Sequence, residues 1–79
     1  MPRYFFDLKG CHHERDDEGV ICADLQSAVR EAKKLLPVIA LDEVPADGEH
    51  HAVTVLVSDE DGHVVYSGVL SFVGNWLIR

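Results

Sequence analysis

The stretch Asp24-Leu25-Gln26-Ser27-Ala28-Val29-Arg30-Glu31-Ala32-Lys33-Lys34-Leu35-Leu36 carries the one long helical pattern in the chain, and it decides what the strands around it must do. Leu25, Ala28, Val29, Ala32, Leu35, Leu36, Ile39 and Ala40 recur at spacings of three and four, which is the apolar stripe of a 3.6-residue helix. Gln26, Arg30, Glu31, Lys33 and Lys34 take the other side. Asp24 stands just ahead of the stripe, where a carboxylate accepts hydrogen bonds from first-turn amides and meets the positive end of the helix dipole. Pro37 deletes the bond to the Lys33 carbonyl. Because Ile39 and Ala40 stay in phase beyond it and Pro37 falls on the polar side, the helix is expected to continue past a kink.

A single amphipathic helix covers one face of a sheet, so the flanking segments are read for strands. Arg3 to Lys9 alternates, with Tyr4, Phe6 and Leu8 toward the core and Arg3, Phe5, Asp7 and Lys9 away from it. Gly10 suits a turn, and Cys11-His12-His13-Glu14-Arg15 is polar enough for an edge strand returning beside the first. Asp16-Asp17-Glu18-Gly19 reads as a turn, with Val20 and Cys22 anchoring the connection into the helix. After the helix, Val44-Pro45-Ala46-Asp47-Gly48-Glu49 has the composition of a loop.

Ala52 to Ser58 and His63 to Val73 flank Asp59-Glu60-Asp61-Gly62, a strong hairpin signal. A two-residue Asp61-Gly62 turn pairs Glu60 with His63, so that Val53, Val55 and Val57 share an apolar face with Val64, Tyr66, Gly68, Leu70 and Phe72. A three-residue loop with a glycine bulge sets Val55 beside Ser67 and mixes the faces, and the even-numbered loop is therefore preferred. The predicted architecture is α+β: a two-layer ββαββ domain, one helix on a four-stranded, mainly antiparallel sheet, occupying residues 1–79 as a single domain.

Seventy-nine residues bury only about 60% of their unfolded surface, which leaves a thin core and room for help from a partner subunit. Leu56, Val65 and Val69, with Phe5, are left on the sheet face that the helix does not cover, and Trp76 in the tail Gly74-Asn75-Trp76-Leu77-Ile78-Arg79 is an apt interface anchor or else closes the domain's own core. Phe5, Leu56, Val65, Val69 and Trp76 are thus the candidate interface residues of a homo-oligomer, expected to be a dimer; an unidentified second protein is the other partner considered. The formal charge of −7 opposes binding to nucleic acid or to anionic membranes. Neither a secretory leader nor a membrane span is evident, so the cytoplasm is the expected compartment, where Cys11 and Cys22 stay reduced unless they face one another across the first hairpin.

Five histidines invite a metal reading. His12, His13, Cys11, Glu14 and the pair His50 and His51 offer ligand types suited to zinc, if the two segments meet. Adjacent residues on a strand point to opposite faces, which argues against His12 and His13 gripping one ion together and favours solvated histidines. The acidic residues cluster in connecting stretches, and Asp59-Glu60-Asp61-Gly62 matches only the fragment of a calcium loop that any hairpin turn shows. No phosphate loop, Cys-x-x-Cys or His-Glu-x-x-His pattern is present, and neither Cys11 before His12 nor Ser58 before Asp59 establishes an activated nucleophile. The expectation is a protein without catalytic residues or cofactor, most simply a self-associating interaction module, with divalent-metal binding through the histidine-rich segments as the alternative.

Met1-Pro2-Arg3-Tyr4-Phe5-Phe6, Asp17-Glu18-Gly19-Val20, Asp24-Leu25 with Ala28 and Glu31-Ala32, and Ser58-Asp59-Glu60-Asp61-Gly62 before an apolar strand together resemble a family of short uncharacterised alphaproteobacterial proteins. The resemblance runs from residue 1 to about residue 72. It implies a bacterial, cytoplasmic protein of unknown function and supplies no site residues. The chain departs from that pattern in its Cys-His-His segment, at Ala23 where proline is frequent, and in the tail from Gly74 to Arg79.

Overall fold

A computed structural model describes residues 1–46 and 48–77, with Ala46 described by its backbone only. The elements run β1 (Arg3–Lys9), β2 (His13–Glu14), β3 (Val20–Ile21), α1 (Leu25–Glu43), a 3-10 turn (Val44–Ala46), β4 (His50–Ser58) and β5 (Val64–Val73). The fold is α+β, as expected, with one helix on an antiparallel sheet ordered β2-β1-β4-β5 and β3 also paired to β1. That makes five strands rather than four. Among the described residues, no helix is long and apolar enough to cross a membrane.

The difference lies beside β1. Instead of one returning edge strand there are two stubs: β2 pairs through Leu8↔Glu14 and Lys9↔His13, and β3 through Arg3↔Ile21 and Tyr4↔Val20. Between them the chain leaves the sheet, and Asp16 supplies what the ladder lacks. Its Oδ2 accepts the Phe6 N–H at 3.1 Å, its own N–H donates to Asp7 Oδ1 at 3.1 Å, and its Oδ1 accepts the N–H groups of Glu18 and Gly19 at 3.2 and 3.0 Å. Partial burial pushes this carboxyl up, but the donors from Gly19, Phe6 and Glu18 outweigh it and hold the group below its ordinary range. Gly19 takes φ 74° in the same turn, against the Tyr4 carbonyl, where a side chain has no room.

Asp24 caps α1 as read, its Oδ1 accepting the Ser27 N–H at 2.8 Å, and the helix continues through Pro37 to Glu43. Ala28, Ala32 and Leu36 are buried against Val53, Val55 and Val57 of β4 and Tyr4 and Phe6 of β1, with Leu8, Leu35, Ile39, Ala40 and Tyr66 packed around them. The small residues at positions 28 and 32 let the helix lie close to the sheet.

The β4–β5 register matches the expectation over most of its length: Val57 pairs with Tyr66, Val55 with Gly68 and Val53 with Leu70. The turn does not. Glu60, Asp61 and Gly62 form a three-residue loop in which Asp59 N–H donates to His63 O, Gly62 N–H donates to Asp59 O, and Gly62 takes φ 84°. Asp59 Oδ1 fixes the loop by accepting from the Asp61 and His63 amides. The mixing of faces that such a loop threatens is undone by a bulge: Ser58 pairs with Val64, Val57 with Tyr66, and Val65 is the extra residue between. Val64 accordingly falls opposite Ser58, which pairs with Phe5, and lies on the uncovered face instead of the core face.

Candidate functional site

Cys11 and Cys22 belong to opposite ends of the molecule. Cys22 lies in the core before the start of α1, and Cys11 lies beside Glu43 at its end, so the 19 residues of the helix, about 28 Å long, separate the two thiols. Cys11 is exposed and Cys22 buried, and the condition set for a disulfide, that the two face one another across the first hairpin, is not met.

At the far end, three elements converge. Gly10 and Cys11 turn the chain after β1, Glu43 is the last residue of α1, and His51 enters β4 on the core face one alternation before Val53. His51 Nε2 and Glu43 Oε1 are 2.8 Å apart, and Glu43 Oε1 also accepts the Cys11 N–H at 3.1 Å. The Cys11 N–H, with smaller contributions from His51 and His12, holds the Glu43 carboxyl below its ordinary value against the desolvation that raises it. As an anion it can only accept, which puts the shared proton on His51 Nε2. A Cβ on Gly10 would collide with the Glu43 carboxylate, so glycine at this position lets the loop close over the acid. Cys11, Glu43 and His51 each present a ligand atom within 4.8 Å of the other two, and His12 and Glu14 line a small cleft of about 40 Å³ with Glu43.

The two histidine pairs are therefore divided, as strand geometry requires. His51 is buried while His50 is exposed opposite Val73; His13 is exposed in β2, while His12 reaches the cleft beside Glu43. Glu43 is the member that reading by residue type passes over, since with Asp42 it stands at the edge of an acidic connecting stretch. Its position was legible: it lies four residues after Ile39 and seven after Leu36, on the helix's inward stripe. A second group, Asp59, Asp61 and His63, also brings three such atoms together, but Asp59 Oδ1 there is occupied with the turn amides.

The uncovered sheet face is half apolar. Phe5 and Leu56 are half-buried and diagonal to one another, and Leu56 is diagonal to Val69, which is 61% exposed. Asp7, Thr54 and Ser67 interrupt this line. Val65 is exposed at the bulge, and Trp76, 80% exposed, stands clear of the body beyond β5. Closure of the core by Trp76 is thus not what the described tail does; Ile78 and Arg79 lie outside the described residues. On the opposite side of β5, Leu70 and Phe72 edge a groove of about 340 Å³ with Pro37, Ala40, Leu41 and Val44 of the helix end.

A family model described as a domain of unknown function (DUF6894) matches residues 3–71. No curated protein and no solved structure matches the chain.

Proposed function

Since the chain belongs to this family of unknown function, it inherits no activity, and we propose from its own surface that it is a non-catalytic, self-associating interaction module in which β5 pairs with β5 of a second copy. One observation carries the reading: the last strand of the sheet, Val64–Val73, runs ten residues without a charge or a proline and has no strand on its outer side among the described residues. Edge strands of folded monomers are ordinarily short, charged, bulged away or covered, because a long flat apolar edge invites another strand. Its bulge lies at one end only, leaving residues 66–73 regular.

Surface area supports the same reading. An 8.8 kDa monomer is expected to expose about 4,800 Å². This chain exposes 5720 Å² over a body 56 Å long and 21 by 18 Å across. The excess, roughly 900 Å², lies partly on the projecting tail, where Trp76 and Leu77 are 80% and 91% exposed, and partly on the apolar side chains of β5. A second copy is the fitting occupant, since antiparallel pairing of one strand with itself about a two-fold axis is self-complementary. Such an axis keeps both helices on one side of a continuous sheet, with Leu41 of each copy, which lines a groove with Leu70 and Phe72, on the side toward the seam. The net charge resides outside the strand, so pairing brings no charged side chain of β5 against its own copy.

Sedimentation equilibrium tests this on the wild-type chain and on Val69→Lys/Ser71→Lys, whose side chains are exposed and contribute nothing to the core. A wild-type dimer and a folded monomeric variant are expected. A wild-type monomer at high micromolar concentration, or a variant that still dimerises, would overturn the proposal.

A further inference from the structure

The cluster at the end of α1 is unlike the other polar groups of the molecule. His51 is the one buried polar side chain among the described residues, and burying an imidazole against Val53 brings the core no apolar gain that a valine or leucine would not bring better. Beside it stand the Cys11 thiol and the Glu43 carboxylate, and the His12 imidazole lines a cleft next to Glu43. These are the ligand types of a borderline divalent cation, drawn from three separate elements. Bond lengths of 2.0–2.3 Å in a tetrahedral site put ligand atoms about 3.3–3.6 Å from one another. The three atoms here already lie within 4.8 Å, and the 2.8 Å His51–Glu43 contact needs to open by only a few tenths of an ångström. The Glu43 carboxylate is not spent by its bonds to His51 and Cys11, because both fall on Oε1.

We infer that Cys11 Sγ, the Glu43 carboxylate and His51 Nε2 form a site for a single zinc-type divalent cation, with His12 or a water completing the tetrahedron. On binding, the cation takes the Nε2 position, the ring proton passing by way of solvent to Nδ1 so that His51 stays a neutral imidazole, and the Cys11 thiol releases its proton to solvent as it becomes a thiolate ligand. The ion would tie the Gly10–Cys11 loop, the helix end and the start of β4 together, three segments that Glu43 already bridges through the Cys11 N–H and His51. The site does not depend on self-association, since all of its ligands come from one chain.

The test uses untagged full-length protein, with cobalt(II) as the spectroscopic probe and zinc for affinity and thermal shift. Wild type is expected to bind one equivalent of cobalt with a thiolate-to-metal charge-transfer band, and zinc is expected to raise its melting temperature. Cys11→Ser, at an exposed position, is expected to fold, to lose the band and to bind zinc at least tenfold more weakly. Glu43→Gln is expected to weaken binding while keeping the band. The double variant His13→Asn/His50→Asn, altering only exposed histidines, is expected to behave as wild type. Absence of a stoichiometric complex in wild type, a band that survives in Cys11→Ser, or loss of binding in the exposed-histidine variant would each overturn the assignment.

Discussion

The Asp16 carboxylate accepts the Phe6 N–H at 3.1 Å, standing in for a backbone partner at the point where the outer neighbour of β1 is interrupted. The same side chain receives two further amides from its own turn, so one residue holds β2 and β3 at their separate ends of β1. Replacing it by alanine leaves three backbone donors to find water or go unpaired. Asp16→Ala is expected to cost about 2 kcal/mol, given the usual worth of hydrogen bonds to a charged acceptor. For a domain of this size that lowers the melting temperature by roughly 10 °C. Urea titration with unchanged slope and an earlier midpoint checks it.

Acid should expose the same dependence. Asp16, Asp24 and Glu43 all have carboxyls held below their ordinary values of 3.8, 3.8 and 4.5: Asp24 chiefly by the Ser27 N–H, Glu43 chiefly by the Cys11 N–H, and Asp16 by its backbone donors in spite of burial. A group whose folded pKa is lowered adds stability that is complete above its unfolded pKa and drains away as the pH falls through the folded one. Melting temperature is therefore expected to hold between pH 5 and 7, within the usual optimum, and to decline below about pH 4. In the same series Asp16→Asn should approach the wild-type curve at the acid end, because there wild type has lost the charge as well.

Gly19 and Gly62, two of the turn glycines with positive φ, should differ in their tolerance of a side chain. Gly62 has φ 84° with open space around it, so Gly62→Ala meets only the left-handed backbone penalty of about 1 kcal/mol. Gly19 has φ 74°, and a Cβ there would sit 2.9 Å from the Tyr4 carbonyl oxygen, which cannot swing aside. Gly19→Ala is expected to cost at least about twice as much. Paired chemical denaturation curves give the comparison directly.

Sequence pattern carried much of this fold because the relevant signals were periodic. The alternation of Tyr4, Phe6 and Leu8 and of Val53, Val55 and Val57, and the stripe through Ala28, Ala32 and Leu36, each mark a buried face that the structure retains. The turn between β4 and β5 was less legible, since a two-residue and a three-residue loop use the same Asp-Gly pair and the compensating bulge at Val65 has no signature of its own. The break in the second strand was hidden for another reason: Asp16 looks like any turn aspartate until its partner on Phe6 is known. At the candidate site, Cys11 and His51 were named from residue type, whereas their meeting at Glu43 depends on the helix surviving Pro37 with its phase intact.

Leu41 separates the stability of one chain from the strength of its association. It is 76% exposed, so Leu41→Ala should change monomer stability by less than about 0.5 kcal/mol. If β5 pairs about a two-fold axis, the same substitution removes apolar area near the seam twice per dimer and is expected to weaken dimerisation about tenfold. Analytical ultracentrifugation alongside urea melts reads both quantities.

Ionic strength should act on assembly in a definite direction. Two chains each carrying −7 repel one another, and the β5 strands proposed to pair contain no charges to offset that. Added sodium chloride screens the repulsion, so the dimer is expected to tighten from low to physiological salt. An interface built on ion pairs would loosen over the same range.

The extra residue at Val65 works as a phase adjuster between the hairpin's tip and its body. An odd loop at the tip and one surplus residue below it cancel, and the valines of β4 keep their inward aim whatever the outer turn prefers. The tip can therefore be shortened by a residue, provided the surplus below it is lost in step, without turning the domain inside out.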